Sequence, residues 1–254
     1  MNIHCIVKQK EGGFVLDNNF SFTGEEAANF MDEFLKKLIE SGVDIYNKAE
    51  FKKGIFNLFH VELYHMPDLD NNDYIIASNH VSDFDAIILG LLHDNIRILS
   101  KKEWVENEKI MSFLAKYYDL IGVDRNSTVD MTKALINLTK HLKYSTSPKH
   151  VLLFPQGTIS DINNNSIDRI YHGIFSLSLF TQKPILPVFL EQPSFTAPTR
   201  IVFGNAIIIK DKEDYRNEWI EELKRLQKTL SPLPRTPKLS FKHLNNNKVG
   251  DAYF

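Results

Sequence analysis

From residue 60 onward, short apolar segments alternate with segments that have the period of an amphipathic helix. The strand-like segments are "HVELYH" (60–65), "YIIASN" (74–79), "IRILS" (96–100), "HVLLFP" (150–155), "PILPVFL" (184–190) and "RIVFGNAIII" (200–209). The helix-like segments between them are 83–93, 102–119, 127–143 and 168–181. Strands joined by helices of this length form βαβ units. The pattern therefore predicts an α/β fold, a single domain with a mostly parallel sheet flanked by helices.

The N-terminal part is predicted to add a hairpin and an amphipathic helix. Residues 3–16 place "IHCIV" and "FVL" around the turn "KEGG". Residues 22–42 have helical periodicity, with Thr23 as N-cap and Glu26 at the spacing of a capping box. The apolar positions of this helix share one face, which either packs against the protein or lies on a membrane surface. They are Phe30, Met31, Phe34, Leu35, Leu38 and Ile39.

The chain shows no repeat and no linker that would divide it. We expect an N-terminal hairpin and helical region at 1–59, the main domain at 60–231 and a C-terminal tail at 232–254. The main domain is predicted to close with a charged helix at 211–230.

Charge, cysteine content and hydropathy limit the partners and the location. The formal net charge of −2 gives no global basic field for nucleic acid, although a local basic patch for anionic lipid or phosphate stays open. The single cysteine, Cys5, fits a reducing cytoplasm. The longest apolar runs, 86–92 and 184–190, fall far short of the ~20 residues of a membrane span. We expect a cytoplasmic protein that is soluble or peripheral to a membrane.

The polar hinge 78–85, "SNHVSDFD", lies between a strand-like and a helix-like run. Ser82 or Asp83 can cap the helix, because their oxygens accept bonds from its first-turn N–H groups. Asp85 follows His80 by five residues across the bend, so its carboxylate can hold the imidazole in one tautomer, as a general base requires. A plain helix start with a backbone-bonded histidine is the alternative. A metal site of His80, Asp83 and Asp85 is disfavoured, since no second histidine has usable spacing.

Two further stretches carry polar groups next to predicted strands. In "GVDRNST" (122–128), Arg125 can present its guanidinium to a phosphate or carboxylate, or form a surface ion pair. In "VLLFPQGTIS" (151–160), Gly157 allows close backbone approach, and Thr158 and Ser160 add hydroxyls beside free N–H groups. That loop predicts either an anion or oxyanion site or a turn that merely ends a strand.

The run "PILPVFL" has no reactive side chain and is interrupted by Pro187. It is either one wall of an apolar groove or an edge strand marked by its proline.

Taken in order, "NHVSDFD", "GVDRN", "FPQGTIS" and "PILPVFL" resemble the four blocks of the glycerolipid acyltransferases of the 1-acylglycerol-3-phosphate acyltransferase family. The resemblance covers about residues 60–210. "LSKKEW" (99–104) resembles the lysine-bearing segment between the first two blocks. "YHGIF" (171–175) resembles the K-x-G-x-F segment after the third.

The resemblance implies transfer of a fatty acyl group from acyl-CoA or an acyl-carrier protein to the hydroxyl of a lysophospholipid or related lipid-like acceptor. The acyl thioester would be a co-substrate, with no resident cofactor or metal. His80 would be the general base and Asp85 its partner. The family further implies peripheral attachment to the cytoplasmic membrane face.

Substrate-binding roles follow from the same resemblance. Lys101 and Arg125 would hold the acceptor's phosphate. Gln156, Gly157 and Thr158 would bind substrate, and the N–H groups around Gly157 and Thr158 would help bind the developing oxyanion.

Three positions depart from the family pattern. Gln156 stands for the glutamate of the third block, Ile159 for its arginine and His172 for a nearby lysine. Either Arg169 or another cation substitutes, or the acceptor is a specialised compound without that phosphate, such as a glycolipid, terpenoid or amino-acid lipid. Two other classes stay open: a non-catalytic acyl-chain-binding protein, and a thioester hydrolase that uses water in place of the alcohol.

Overall fold

A computed structural model describes residues 7–10, 13–16, 32, 34–144, 148–159, 170–191, 197–211 and 213–231. The strands are β1 (Val7–Lys10), β2 (Gly13–Leu16), β3 (Val61–Tyr64), β4 (Tyr74–Ser78), β5 (Ile96–Lys101), β6 (Asp119–Val123), β7 (His150–Leu153), β8 (Ile185–Leu190) and β9 (Thr199–Phe203). The helices are α1 (34–40), α2 (Lys48–Leu58), α3 (Phe84–Gly90), α4 (Lys102–Val105), α5 (Glu108–Leu114), α6 (Thr128–Lys143), α7 (Gly173–Thr181) and α8 (Arg216–Leu230).

Seven of these strands form one sheet with the order β3-β9-β8-β4-β7-β5-β6. All neighbouring strands are parallel except β8 and β9, which are antiparallel. The predicted α/β fold with a mostly parallel sheet is therefore confirmed. In the described residues, β1 and β2 pair antiparallel, which confirms the N-terminal hairpin.

The central strands are apolar because both faces of the sheet are covered by helices. In β4, Ile75 and Ala77 contribute to one core cluster, while Ile76 between them contributes to the other. The cluster around Ile76 contains residues of α1, α2 and α3, and the cluster around Ile75 contains residues of α6, α7 and α8. Alternating side chains of a strand thus fill two cores, as the period of two requires.

Helix α1 packs into the core where it is described. Phe34 and Leu38 are buried, and the Phe34 ring lies 5.5 Å from that of Phe84, centroid to centroid. Ile39 of the same predicted face is exposed. Of the two alternatives for this face, packing against the protein accounts for Phe34 and Leu38. Positions 30 and 31 and the proposed cap at 23 and 26 lie outside the described residues. None of the described helices combines the length and the apolar character needed to cross a membrane.

The predicted helix 102–119 is wrong. The segment instead contains two short helices, α4 and α5, and then β6 at the sheet edge. Gly122 of β6 packs tightly on α4, because a Cβ there would meet the Cα of Lys102 at 3.2 Å. Helix α4 folds back onto β6. Helical periodicity does not reveal this, because it is a tertiary contact.

The edge-strand alternative for Pro187 is also wrong, because β8 lies between β9 and β4. The proline is tolerated where pairing with β9 is incomplete. The pairing of β8 with β9 starts at Val188. Before it, an isolated bridge joins Ile185 to Ile207. The Pro187 carbonyl still accepts a hydrogen bond from the Gly204 N–H at 2.8 Å. A residue without an N–H therefore fits an interior strand at this gap.

Candidate active site

Four of the stretches singled out in the sequence meet at one edge of the sheet. His80 follows β4, Lys101 ends β5, Arg125 follows β6 and Gln156 follows β7. These four strands are neighbours and parallel, so their carboxyl ends lie together. The carboxyl edge of a parallel sheet is where α/β proteins bind ligands.

A cavity of about 580 Å³ opens at this edge. Its polar lining comprises His80, Asp83, Ser100, Lys101, Arg125, Thr128, Thr132 and Thr158. Its apolar lining, from the sheet and helices α6 and α7, includes Leu99, Val123, Ala134, Leu135, Leu138, Leu153 and Ile174. The volume is in the range of small-molecule sites, ~300–1,000 Å³. The cavity thus joins a charged mouth to an apolar interior.

His80 and Asp85 form a hydrogen-bonded pair at this mouth. The His80 Nδ1 atom lies 2.9 Å from Oδ2 of Asp85, and the Asp85 side chain is fully buried. The carboxylate accepts from the donor side of the ring, so Nδ1 carries the proton and Nε2 is the ring nitrogen that can accept one. This is the arrangement of a general base with an orienting partner.

The same carboxylate oxygen shapes the loop before α3. Oδ2 of Asp85 also accepts hydrogen bonds from the N–H of Val81 at 2.6 Å and of Ser82 at 2.9 Å. Burial raises the pKa of Asp85, while the His80 ring and the two N–H groups oppose that rise. Asp85 therefore holds both the histidine and the backbone that carries it.

The His80 backbone and ring are held by residues from other strands. The His80 N–H donates to Oε1 of Gln156 at 3.1 Å, and its ring stacks on Phe154 with centroids 4.2 Å apart. Asn79 accepts from the N–H of Leu190 and donates to its carbonyl, each at 2.8 Å. The roles of Asn79 and Phe154 were not predicted. Their only signal in the sequence is their place next to His80 and Gln156 in the first and third blocks.

The two predicted capping residues behave differently. The Ser82 hydroxyl accepts the Phe84 N–H at 3.1 Å, as a capping residue does. Asp83 occupies the N-cap position but its side chain forms no capping hydrogen bond. Asp83 instead lines the cavity, and burial raises the pKa of its carboxyl to about 6.

The loop after β7 differs in part from its prediction. Gln156 is buried and does not line the cavity, so it contacts the hinge of His80 rather than the cavity space. Gly157 lines the cavity, but its N–H donates to the Phe154 carbonyl at 2.9 Å and is therefore not available to an oxyanion in this conformation. Thr158 is exposed and lines the cavity, whereas Ser160 lies outside the described residues.

Tyr171 explains why residue 157 is a glycine. Gly157 has φ +69°, and a Cβ there would lie 2.5 Å from the Tyr171 ring. The Tyr171 N–H donates to the Pro155 carbonyl at 2.9 Å, and the residue lines the cavity. The glycine thus admits a tyrosine ring, a lining group that the sequence alone did not reveal.

Both predicted cations line the cavity. The Lys101 Nζ atom is 3.7 Å from Oε1 of Glu103, with both side chains well exposed, so this ion pair is weak. Arg125 is exposed and forms no ion pair with another described residue, which removes the surface ion-pair alternative within that part of the chain. In the described chain, no group of three or more histidine, cysteine, aspartate or glutamate side chains is placed to hold a metal ion.

The residues that depart from the family pattern differ in their position relative to the cavity. Ile159 lines the cavity and adds apolar surface near its mouth, while His172 is exposed and does not line it. Arg169 lies outside the described residues. No residue of β8 lines this cavity, so the groove-wall alternative for "PILPVFL" does not apply to it.

A model of the Acyltransferase family matches residues 43–191, more than half of the 254 residues. The chain belongs to the Acyltransferase family. The match includes His80, Asp85 and Gln156, and it confirms at family level the resemblance of the four sequence blocks.

Among solved structures, this acyltransferase is similar to the 1-acyl-sn-glycerophosphate (LPA) acyltransferase PlsC from Thermotoga maritima. The TM-score is 0.49 at 14% sequence identity, over 73% of this chain and 81% of that chain. No curated protein matches the chain significantly.

Proposed function

We propose that this acyltransferase moves a fatty acyl group from acyl-CoA or an acyl-carrier protein to a hydroxyl of a lysophospholipid or related lipid-like acceptor. The observation that carries the proposal is the hydrogen bond from His80 to the fully buried Asp85, at the mouth of an apolar cavity. Family membership supplies the reaction class, and the pair supplies the residues.

In the proposed mechanism, His80 acts as general base. Its Nε2 takes the proton of the acceptor hydroxyl while the oxygen attacks the thioester carbonyl. The tetrahedral intermediate then collapses, the C–S bond breaks, and the departing thiolate takes the proton back from Nε2. Asp85 stabilises the imidazolium in between. None of the described residues that line the cavity is a cysteine, and this direct transfer needs no acyl-enzyme.

The apolar interior suits the acyl chain. The cavity is lined by Leu135 and Leu138 of α6, Leu153 of β7 and Ile174 of α7. Burying a methylene stabilises by ~0.8 kcal/mol, so a long chain gains affinity at every carbon that enters. The acyl group would lie inside, with its thioester at the polar mouth beside His80.

The cations of the mouth suit phosphate groups. Lys101 and Arg125 can bind a phosphate of the acceptor or of the thioester carrier, since CoA and the prosthetic arm of an acyl-carrier protein both carry phosphates. Thr158 adds a hydroxyl at the same mouth. The Gly157 N–H donates to the Phe154 carbonyl, so the side chains of Lys101, Arg125 and Thr158 would bind the charged groups of the substrate.

A lipid acceptor implies contact with a membrane surface, so we propose a peripheral protein at the cytoplasmic membrane face. Flotation with vesicles of mixed neutral and anionic lipid tests this point. Recovery of all the protein in the lipid-free fraction would contradict it.

The activity itself is tested with purified protein, labelled long-chain acyl-CoA or acyl-carrier protein, and a panel of lipid acceptors. Labelled acyl ester that forms only when both substrates are present supports the proposal. Release of free fatty acid without an acceptor would indicate thioester hydrolysis instead. Tight acyl-chain binding with no product from any acceptor would indicate a binding protein.

A further inference from the structure

Asp83 is a carboxylate in the cavity without a structural task. Ser82 serves the first two N–H groups of α3, because its hydroxyl accepts from Phe84 and its carbonyl accepts from Asp85. Asp83 forms no capping hydrogen bond. No hydrogen bond or ion pair joins it to any other described residue, and it faces the cavity.

The position of Asp83 is unfavourable for a charge unless a ligand uses it. Burial raises the pKa of its carboxyl to about 6, while the nearby His80 and Lys101 oppose that rise. At neutral pH the group is thus mostly ionised in a partly desolvated place. Lys101 does not neutralise it by direct contact, since its ion pair is with Glu103.

Asp83 lines the same cavity as His80, from which it is separated by two residues in the chain. It interacts electrostatically with the His80 ring, which would hold the proton of the acceptor hydroxyl. An acceptor whose hydroxyl reaches His80 can therefore present the group on its adjacent carbon to Asp83. A carboxylate accepts hydrogen bonds and repels a phosphate, so it discriminates between these substituents.

We infer, on the basis of the proposed function, that Asp83 selects the acceptor. Its carboxylate accepts a hydrogen bond from a hydroxyl or ammonium group on the carbon next to the acylated hydroxyl, and it disfavours a phosphate ester at that carbon. The preferred acceptor is a lipid with a free hydrogen-bond donor there. Lys101 and Arg125 then serve phosphates that lie farther from the reacting oxygen.

A pair of probe lipids isolates this choice. 1-Acylglycerol and 1-acylglycerol 3-phosphate share the hydroxyl at carbon 2 and differ only at carbon 3, so the product acylated at carbon 2 is measured for both. Wild type, Asp83→Asn and Glu103→Gln are compared. Asparagine keeps the size and one acceptor oxygen of Asp83 but loses its charge. The control Glu103→Gln removes a carboxylate that is exposed, near Lys101 and outside the cavity lining.

Wild type should use 1-acylglycerol about tenfold or more better in kcat/KM, a ratio typical of one well-placed charge or hydrogen bond. Asp83→Asn should lose most of this preference, chiefly through a lower KM for the phosphate. Glu103→Gln should keep it. A ratio that is unchanged in Asp83→Asn, with both lipids acylated, would overturn selection by Asp83 and leave acyl transfer standing.

Equilibrium binding of the same two lipids separates this proposal from the function it rests on. If neither lipid is acylated but wild type binds 1-acylglycerol more tightly and Asp83→Asn does not, selection by Asp83 stands and acyl transfer fails. If neither lipid is acylated and the variant binds both as wild type does, both proposals fail.

Discussion

The Nδ1 atom of His80 lies 2.9 Å from Oδ2 of Asp85, and the same oxygen accepts the N–H groups of Val81 and Ser82. One carboxylate thus closes a loop and orients the imidazole inside it. The two tasks are linked, because the loop conformation that brings the backbone N–H groups to Asp85 also brings the ring there. Substitutions at Asp85 can separate the tasks.

Asp85→Asn should keep the fold and lose most activity. An amide oxygen can replace Oδ2 as acceptor, and the amide nitrogen would occupy the place of Oδ1, which has no hydrogen-bond partner among the described residues. Without the negative charge the imidazolium is less stabilised, so kcat should fall by ~10²–10⁴. Steady-state kinetics and circular dichroism measure the two effects.

Asp85→Ala is the control for the structural task. It leaves the N–H groups of Val81 and Ser82 without their acceptor, at about 1–3 kcal/mol for each unsatisfied group. Urea unfolding should show a larger destabilisation of the alanine variant than of the asparagine variant, which keeps the acceptor oxygen. Equal activity of Asp85→Asn and wild type would contradict the proposed pair.

Gln156 is expected to position His80 rather than to bind substrate. Gln156→Ala removes the acceptor of the His80 N–H, a bond worth ~0.5–1.5 kcal/mol, so kcat should fall about 2- to 10-fold. The KM for the acceptor should stay within about twofold, because the side chain does not line the cavity. Gln156→Glu, which keeps an acceptor oxygen, should retain more activity. A raised KM with unchanged kcat would restore the substrate-binding role.

Ala134 should limit the length of the acyl chain. It is buried on α6 and lines the cavity, so Ala134→Phe fills space that methylenes would otherwise occupy. Each excluded methylene forfeits ~0.8 kcal/mol, and three of them should disfavour a long acyl-CoA more than tenfold against a medium one. Ile136→Phe, on the exposed side of the same helix, is the matched control and should leave the preference unchanged. An unchanged chain-length profile in Ala134→Phe would place the acyl chain elsewhere.

Asp83 should lower stability at neutral pH. Its pKa rises from 3.8 to about 6 in the fold, so between these values the native state binds more protons than the unfolded state. The free energy of unfolding therefore falls as pH rises through this window. Asp83→Asn removes this loss of stability. It should raise the free energy of unfolding by up to about 3 kcal/mol at pH 7.5, with a smaller increase at pH 4.5.

Urea unfolding at the two pH values measures the Asp83 effect. The groups that act on the Asp83 carboxyl are His80, Lys101 and Asp85, and all are retained in the variant. A stability gain that is equal at both pH values would show that the effect has another source.

Much of the fold was predictable because the central strands are continuous apolar runs. "YIIAS" and "ILPVFL" are buried along almost their whole length, and burial of both sheet faces leaves this pattern in any parallel sheet. The segment 102–119 was not predictable from periodicity, since it divides into α4, α5 and the start of β6, and α4 packs closely on Gly122 of β6 in a tertiary contact. The position of β8 inside the sheet likewise depends on pairing between strands, which its own sequence does not reveal.

In the site, spacing predicted the contact of His80 with Asp85 but not the direction of other side chains. Gln156 turns toward the hinge, and Gly157, which lines the cavity, leaves room for the Tyr171 ring. Both outcomes follow from the turn after β7, whose Gly157 N–H bonds back to Phe154. A sequence block gives the residue types of such a turn, whereas its dihedral angles decide which groups face the cavity.

The most direct test of the account is acyl transfer by His80→Ala, with His172→Ala as control. His172 is an exposed histidine outside the cavity lining, so its loss should leave the rate near wild type. Labelled acyl-CoA and the best acceptor from the panel are supplied to folded protein of each variant. Loss of a general base predicts that His80→Ala lowers kcat by ~10²–10⁴. A rate for His80→Ala within a few-fold of wild type would contradict the central claim.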